Sequence, residues 1–150
     1  MKKNLLIIIC IILIILVVVL ANYYNYKAKY TEIKEFNLQY EVYLDKEIYG
    51  TEIATVINKA VDNNEKNEVE KEEEESDGKT YYFYKPNDKN SIKVDVKIID
   101  NNITYQMESL YQGEITKFVQ YYNSVLFKCT KIEYNSAGKV SYLLFEQISQ

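Results

Sequence analysis

The sequence contains no arginine, histidine or tryptophan, and it has only two cysteines, four glycines and one proline. Without histidine, Ser-His and Cys-His nucleophile pairs and histidine-containing zinc sites are excluded. Two cysteines cannot form a four-cysteine zinc site, and without arginine no bidentate guanidinium group binds phosphate or carboxylate. Four scattered glycines do not form a phosphate-binding loop. Most common catalytic chemistries are therefore excluded, and no cofactor is predicted.

The composition and length of the chain indicate the kind of organism that it comes from and the number of domains. All 18 basic residues are lysine, and 16 of the 150 residues are tyrosine. Asparagine and isoleucine are also abundant, and AT-rich codons favour all four residue types. The composition therefore predicts a low-GC bacterium, and the length suits one domain of ordinary size.

The N-terminal region contains an apolar run of 17 residues, 5–21, preceded by Lys2 and Lys3. A helix of that length spans about 26 Å, close to the thickness of a bilayer hydrocarbon core, and in lipid a single span must be helical. The two lysines predict a cytoplasmic tip at 1–4 and an outward-facing C-terminal domain. We predict an uncleaved, single-pass signal anchor in the plasma membrane. Secretion after cleavage following Ala21 is the alternative.

The two cysteines lie in different compartments under this prediction. Cys10 falls within the apolar run and Cys129 in the exported part, so the two cannot pair. We expect Cys129 to be a small buried apolar residue. The alternative for Cys129 is an intermolecular disulfide or a reactive thiol.

Residues 22–61 are predicted to be helical in two pieces. The first, 22–48, has an apolar stripe with spacings of four and three and a central asparagine. The favoured interpretation is that this stripe packs on the protein's own sheet, because Phe36 and Tyr43 widen it. The alternative is a coiled coil between two copies of the chain. The residues of this candidate self-association stripe are Tyr30, Ile33, Asn37, Tyr40 and Leu44.

The second helical piece follows Gly50, which breaks the chain, and Thr51 is the predicted N-cap. Its apolar residues recur at i, i+3, i+4, i+7 and i+8, which is typical of an amphipathic helix with one buried face. Asn63 and Asn64 are predicted to end it. The apolar positions are Ile53, Val56, Ile57, Ala60 and Val61.

The net negative charge of the chain comes from the segment 62–79. Nine acids and three lysines give it a net charge of −6, whereas the whole chain has a net charge of −4. Like charges repel and stay solvated, so a disordered loop is predicted. Calcium capture is the alternative, although the spacing of an EF-hand loop is absent.

The remaining region, 80–150, is predicted to form a small antiparallel sheet of about five strands with one short helix near 114–123. Alternating apolar and polar residues and turn signals support each strand. Helices followed by strands favour an α+β fold, with the helices packed on the sheet. The predicted strands are 81–84, 92–98, 103–107, 125–134 and 140–145.

Two groups of side chains are candidates for function. Five acids could supply a glycosidase-type carboxylate pair, but Asp95 and Glu108 fall on the polar face of a predicted hairpin, where we expect them to be solvated. No catalytic or metal-binding residue is assigned. Exposed tyrosines favour binding, although core packing is the alternative. The acids are Asp95, Glu108, Glu114, Glu133 and Glu146, and the candidate interaction surface comprises Tyr81, Tyr82, Tyr84, Tyr121 and Tyr122.

Several segments together resemble a group of small, N-terminally anchored proteins of Clostridia-type bacteria. They include GTEIATVINKA at 50–60, NNEKN at 63–67, SIKVDV at 91–96, FKCTKIEY at 127–134 and FEQ at 145–147. The resemblance covers most of 45–148. The group has no assigned activity, so the resemblance implies location and fold and provides no catalytic motif.

These observations together predict a non-enzymatic, membrane-anchored, extracytoplasmic protein that binds or assembles with another envelope protein or with itself. Nucleic acid is disfavoured as a partner by the acidic balance and the absence of arginine. The alternatives are a pseudopilin-like assembly subunit and a carboxylate-dependent extracytoplasmic enzyme.

Overall fold

The computed structural model describes residues 2–69, 84–85 and 88–148. The chain divides into two compact units, Met1–Glu35 and Phe36–Gln150, and we call the second unit the head. Residues 81–83 of the predicted strand 81–84 and the acidic residues 70–79 lie outside the described residues, and Tyr84 is not part of a strand.

Helix α1, Lys2–Glu41, contains the apolar run. The large apolar side chains from Leu5 to Leu20 are all exposed. By length and composition α1 is able to cross a membrane, so the prediction of an apolar helix near the N-terminus is confirmed. Such a helix is compatible with a membrane anchor.

The first helix ends earlier than the predicted residue 48. It stops at Glu41, and Asp45 adopts a positive φ of 59°, which is incompatible with continuing a right-handed helix. Strand β1, Glu47–Tyr49, follows, and Ile48 is fully buried in it. The strand pairing of β1 overrides the helical spacing of the sequence, so Leu44 lies beyond the helix.

Helix α2, Gly50–Lys66, differs from the prediction at both ends. Thr51 is not its N-cap, because the helix begins at Gly50 after Tyr49, whose N–H donates to Glu52 Oε2 at 3.1 Å. The helix also continues past Asn63 and Asn64, so part of the predicted acidic loop is helical. All five predicted apolar positions of α2 are buried, which confirms its amphipathic face.

Within the described residues, five strands form one sheet in the order β1-β4-β5-β2-β3. The predicted α+β layout with a small sheet is confirmed, but the sheet is mixed, because β2 and β5 pair in parallel. The other pairs are antiparallel, including the predicted β2–β3 and β4–β5 hairpins. The strands after β1 are β2, Lys93–Ile98; β3, Ile103–Gln106; β4, Leu126–Tyr134; and β5, Val140–Gln147.

A helical connection between β3 and β4 produces the parallel pair. It consists of a short turn, α3 (Met107–Ser109), a π-helical turn (Leu110–Glu114) and helix α4 (Ile115–Tyr122). This connection carries the chain away from β3, and the β4–β5 hairpin then joins the sheet beside β2. The short helix predicted near 114–123 is therefore confirmed. The predicted strand 103–107 is shorter, because Met107 begins α3.

The core of the head lies between the helices and one face of the sheet. The buried face of α2 packs with alternate residues of the strands, such as Val94 and Val96 of β2. Tyr40 from the last turn of α1 and Phe118 from α4 complete this cluster. Burial of these side chains supplies most of the stabilising free energy, as in other small domains.

Among the side-chain amides that bind backbone near the ends of the strands are Asn37, Asn64 and Gln147. Asn64 Nδ2 donates to the Ile92 carbonyl and the Ile92 N–H donates to Asn64 Oδ1, both at 2.9 Å. Asn37 Nδ2 donates to the Gly138 carbonyl at 2.8 Å and Asn37 Oδ1 accepts from the Val140 N–H at 2.9 Å.

The third amide, Gln147, lies at the end of β5. Its Oε1 accepts from the Ile99 N–H at 3.1 Å, and its Nε2 donates to Asp100 Oδ2 at 2.6 Å. The three amides satisfy backbone groups that the strand ladder leaves free. The groups of Ile92 and Val140 are buried, where an unpaired N–H or carbonyl is costly.

We expect Asn64→Ala to lower the free energy of unfolding by about 3 kcal/mol. The substitution leaves the buried N–H and carbonyl of Ile92 without partners, and each such loss costs about 1–3 kcal/mol. Chemical denaturation of the full chain in detergent, followed by near-ultraviolet circular dichroism of the tyrosines, measures the change.

Asn58→Ala is the matched control, because Asn58 lies on the exposed face of the same helix. We expect its effect to stay within about 0.5 kcal/mol. Equal losses for the two substitutions would show that the Asn64 amide does not stabilise the head.

Cys129 is completely buried in β4, as predicted. Burial is the main cause that raises the pKa of its thiol to about 11. The thiol donates weakly to the Lys131 carbonyl at 3.6 Å. Cys10 and Cys129 are not paired with each other, as the sequence predicts.

We expect alkylation of Cys129 to be at least about 100-fold slower in the folded chain than in denaturant. At about pH 8 only about one thiol in a thousand with this pKa is a reactive thiolate, and burial slows access further. Mass spectrometry of the peptide containing Cys129, after timed iodoacetamide treatment, separates this residue from Cys10. A similar rate in the folded and unfolded chain would contradict the burial.

Candidate functional site

An aromatic cleft lies in the head between strand β3 and helix α4. Its volume is about 210 Å³. Tyr105 comes from β3, where it faces the same side of the sheet as its partner Val96, which is a core residue. The lining residues are Tyr105, Leu110, Lys117, Phe118, Tyr121 and Tyr122.

The floor of the cleft is a set of packed aromatic rings. Phe118 is nearly buried, and its ring centroid lies 5.9 Å from Tyr105, 5.0 Å from Tyr122 and 5.9 Å from Phe127. Rings at these separations stabilise one another beyond the area they bury. The floor is therefore rigid and apolar, which suits a binding surface.

The wall and rim of the cleft carry polar groups. The Tyr122 hydroxyl interacts with Tyr105 and Asn101, and burial, with the Tyr105 contacts, raises the pKa of Tyr122. Tyr121 is 77% exposed. Lys117 is exposed at the rim and provides the cation of the lining.

Gly50 fixes the position of Tyr122. A Cβ atom at Gly50 would lie 2.2 Å from the Tyr122 carbonyl oxygen and 2.8 Å from its carbonyl carbon. The Gly50 N–H also donates to the Val125 carbonyl at 3.2 Å. The start of α2 therefore contacts the end of α4 directly, and this close approach requires glycine.

The structure brings together only part of the predicted interaction surface. Tyr121 and Tyr122 both line the cleft. Tyr84 is half-buried and packs against the core, so it is not part of the cleft lining. Tyr81 and Tyr82 lie outside the described residues.

Sequence reasoning missed the other lining residues. Tyr105 and Phe118 fall within the predicted strand 103–107 and the helix predicted near 114–123, but nothing in their local pattern shows that β3 and α4 meet. Leu110 belongs to the π-helical turn, which the sequence did not indicate. Lys117 has no sequence signal, because a lysine on a helix is ordinarily solvated.

The candidate self-association stripe is divided by the fold. Asn37 and Tyr40 are buried within the head, where Asn37 binds the β4–β5 turn. Tyr30 is 60% exposed and Ile33 is half-buried. Packing on the protein's own sheet, the favoured interpretation, therefore holds for Asn37 and Tyr40.

The expectation that Asp95 is solvated is wrong. Asp95 is 8% exposed, and Tyr142 covers it by donating from its hydroxyl to Asp95 Oδ2 at 3.1 Å. Lys93 Nζ lies 3.6 Å from the same oxygen. Among the described residues, Asp95 Oδ1 and Glu108 Oε2 are buried without a hydrogen-bond partner.

The other acids proposed for a carboxylate pair are placed differently. Glu133 is exposed, and Glu146 is half-buried. Lys97 donates to Glu146 at 2.9 Å and lowers the pKa of that carboxyl. Glu114 is part of the π-helical turn. No acidic side chain is among the described lining of the aromatic cleft.

Within the described residues, no group of three or more Cys, Asp or Glu side chains is arranged to hold a metal ion. The calcium alternative concerned 62–79, most of which lies outside those residues. In comparisons with known proteins, no family model, curated protein or solved structure matches this chain.

We expect Gly50→Ala to destabilise the head by about 2 kcal/mol, because the new methyl group overlaps the Tyr122 carbonyl and overpacking costs about 1–3 kcal/mol. Relief of this overlap should displace Tyr122 and change the tyrosine signals in near-ultraviolet circular dichroism. Gly113→Ala is the control, because no heavy atom lies within 4 Å of a Cβ at Gly113. A neutral Gly50→Ala substitution would show that α2 and α4 are not in close contact.

Proposed function

We propose that the chain is a single-pass, membrane-anchored, extracytoplasmic protein whose head is a non-enzymatic binding domain for another envelope protein. The observation that carries the binding role is the aromatic cleft, whose rigid apolar floor is adjacent to the exposed Tyr121. Exposed aromatic groups around a concave surface favour protein binding. The absence of described acids from the lining favours binding over carboxylate catalysis.

The proposed location depends on α1 and on the lysines that precede the apolar run. A helix with this apolar surface is stable in lipid and costly to expose to water. Membership of the group of small anchored proteins of Clostridia-type bacteria belongs to the same proposal. It depends on the segments that resemble that group.

The location is tested in cells that produce the full chain. We expect the protein to sediment with membranes, to resist alkaline extraction and to retain an N-terminus at or near Met1 in intact mass measurement. Protease added to spheroplasts should digest the head and spare the N-terminal tip. A soluble protein beginning at Asn22 in the medium would contradict the anchor, and a protected head would contradict the orientation.

The binding role is tested with a photo-cross-linking amino acid at position 121. We expect one discrete adduct with another envelope protein, because Tyr121 is exposed at the cleft. The same cross-linker at position 58, on the exposed face of α2, is the control. Equal labelling from both positions, or no adduct from position 121, would exclude the cleft as the binding surface.

A pseudopilin-like assembly subunit is the second candidate function. The observation that favours it is the length of α1, whose side chains from Leu5 to Leu20, together with Tyr30, are exposed and available to other copies. Cysteine substitutions at Tyr30 and at Val17 should then form disulfides between copies in the membrane. A strictly monomeric chain in detergent, with no such disulfide, would remove this candidate.

A further inference from the structure

Lys117 at the rim of the cleft differs from Lys97 and Lys128 of the sheet in its ion pairing. Lys97 lies 2.9 Å from a Glu146 oxygen, and Lys128 lies 3.0 Å from Asp45. No carboxylate pairs with Lys117 among the described residues. A cation beside an apolar, aromatic surface attracts a carboxylate more strongly than one in open water, because the surface lowers the local dielectric constant.

The size of the cleft limits what it can hold. Pockets for drug-sized molecules have volumes of about 300–1,000 Å³. At about 210 Å³ the cleft is smaller, which suits a single large side chain. Its lining of aromatic rings favours an aromatic side chain, since offset and edge-to-face ring pairs are favourable.

The position of the cleft favours a polypeptide as the source of that side chain. β3 is the outermost strand of the described sheet, and Tyr105 lies on it. An extended segment that runs along β3 places alternate side chains on the face where the cleft opens. Free backbone groups at a sheet edge pair with a polypeptide, whereas a small aromatic acid has no backbone to match them.

Resting on the proposed binding role of the head, we infer that the cleft binds one aromatic side chain of a partner polypeptide, and that Lys117 binds a carboxylate on the residue next to it. The recognised element is therefore an acidic residue followed or preceded by an aromatic one. A ligand that has only the aromatic group, or only the carboxylate, should bind more weakly than a ligand that has both.

The absence of tryptophan from the chain provides a direct assay, because a tryptophan-containing probe is the only source of indole fluorescence. The probes are N-acetyl-Asp-Trp-amide and its isosteric neutral partner N-acetyl-Asn-Trp-amide. With the full chain in detergent micelles, we expect the Asp probe to bind with a dissociation constant of about 1 mM and its emission to shift to shorter wavelength. The Asn probe should bind about three-fold more weakly.

Substitutions test which residues cause the preference for the Asp probe over the Asn probe. Lys117→Gln should bind both probes equally, and high salt should weaken the preference of the unmodified chain. Lys89→Gln, at an exposed lysine outside the cleft, should retain the three-fold preference. Tyr121→Ala should weaken the binding of both probes without loss of structure, because Tyr121 is 77% exposed.

Three results would overturn the inference: no binding of either probe, equal binding of both by the unmodified chain, or a preference that Lys117→Gln leaves intact. Tighter binding of free N-acetyltryptophan than of the Asp probe would also overturn it, because the ligand would then be a small aromatic acid. If the cross-linker at position 121 captures its partner while no probe binds, the proposed function survives and this inference fails.

Discussion

Pairing of buried backbone at the strand ends is the constraint on which the rest of the head depends. A short mixed sheet leaves N–H and carbonyl groups unpaired where its strands begin and end, and no water reaches those that are buried. Asn37 and Asn64 provide one donor and one acceptor each to such groups, and Gln147 accepts from the Ile99 N–H. Because the first two lie on helices, the same hydrogen bonds that complete the sheet also fix where α1 and α2 end against it.

The contacts of helix α2 also affect the position of the elements that line the cleft. Asn64 holds the start of β2, and β2 in turn positions β3 and Tyr105. At the other end of α2, Gly50 allows contact with the last residue of α4. Helix α2 therefore determines the separation of the two elements that form the cleft walls, although none of its own side chains lines the cleft.

The sequence predicted the elements well where periodicity and burial agree. The apolar face of α2 and the alternate apolar residues of β2 are both buried as the periodicity predicts. The sequence did not predict the ends of the elements correctly where a tertiary contact determines them. Asn64 looked like a helix end, since asparagine is a poor helix former, but its amide is used by Ile92. The helical spacing through Leu44 concealed the turn at Asp45 and the short strand β1.

The cleft was predictable only in part for the same reason. Tyr121 and Tyr122 are predictable as part of a binding surface because exposed tyrosines favour binding, whereas Tyr105 and Lys117 have ordinary local patterns. Their meeting depends on which strand lies at the sheet edge. Asp95 shows the opposite error: alternation placed it on the polar face correctly, but that face is covered locally by Tyr142.

The contact of Asn37 with the β4–β5 turn joins residues that are 101 and 103 positions apart in the chain. The head therefore cannot complete its folding until the chain has been synthesised through residue 140. Contacts of such long range also slow folding, because a large loop must close before they form. Throughout that interval α1 has already been synthesised, so the apolar helix exists before the sheet closes.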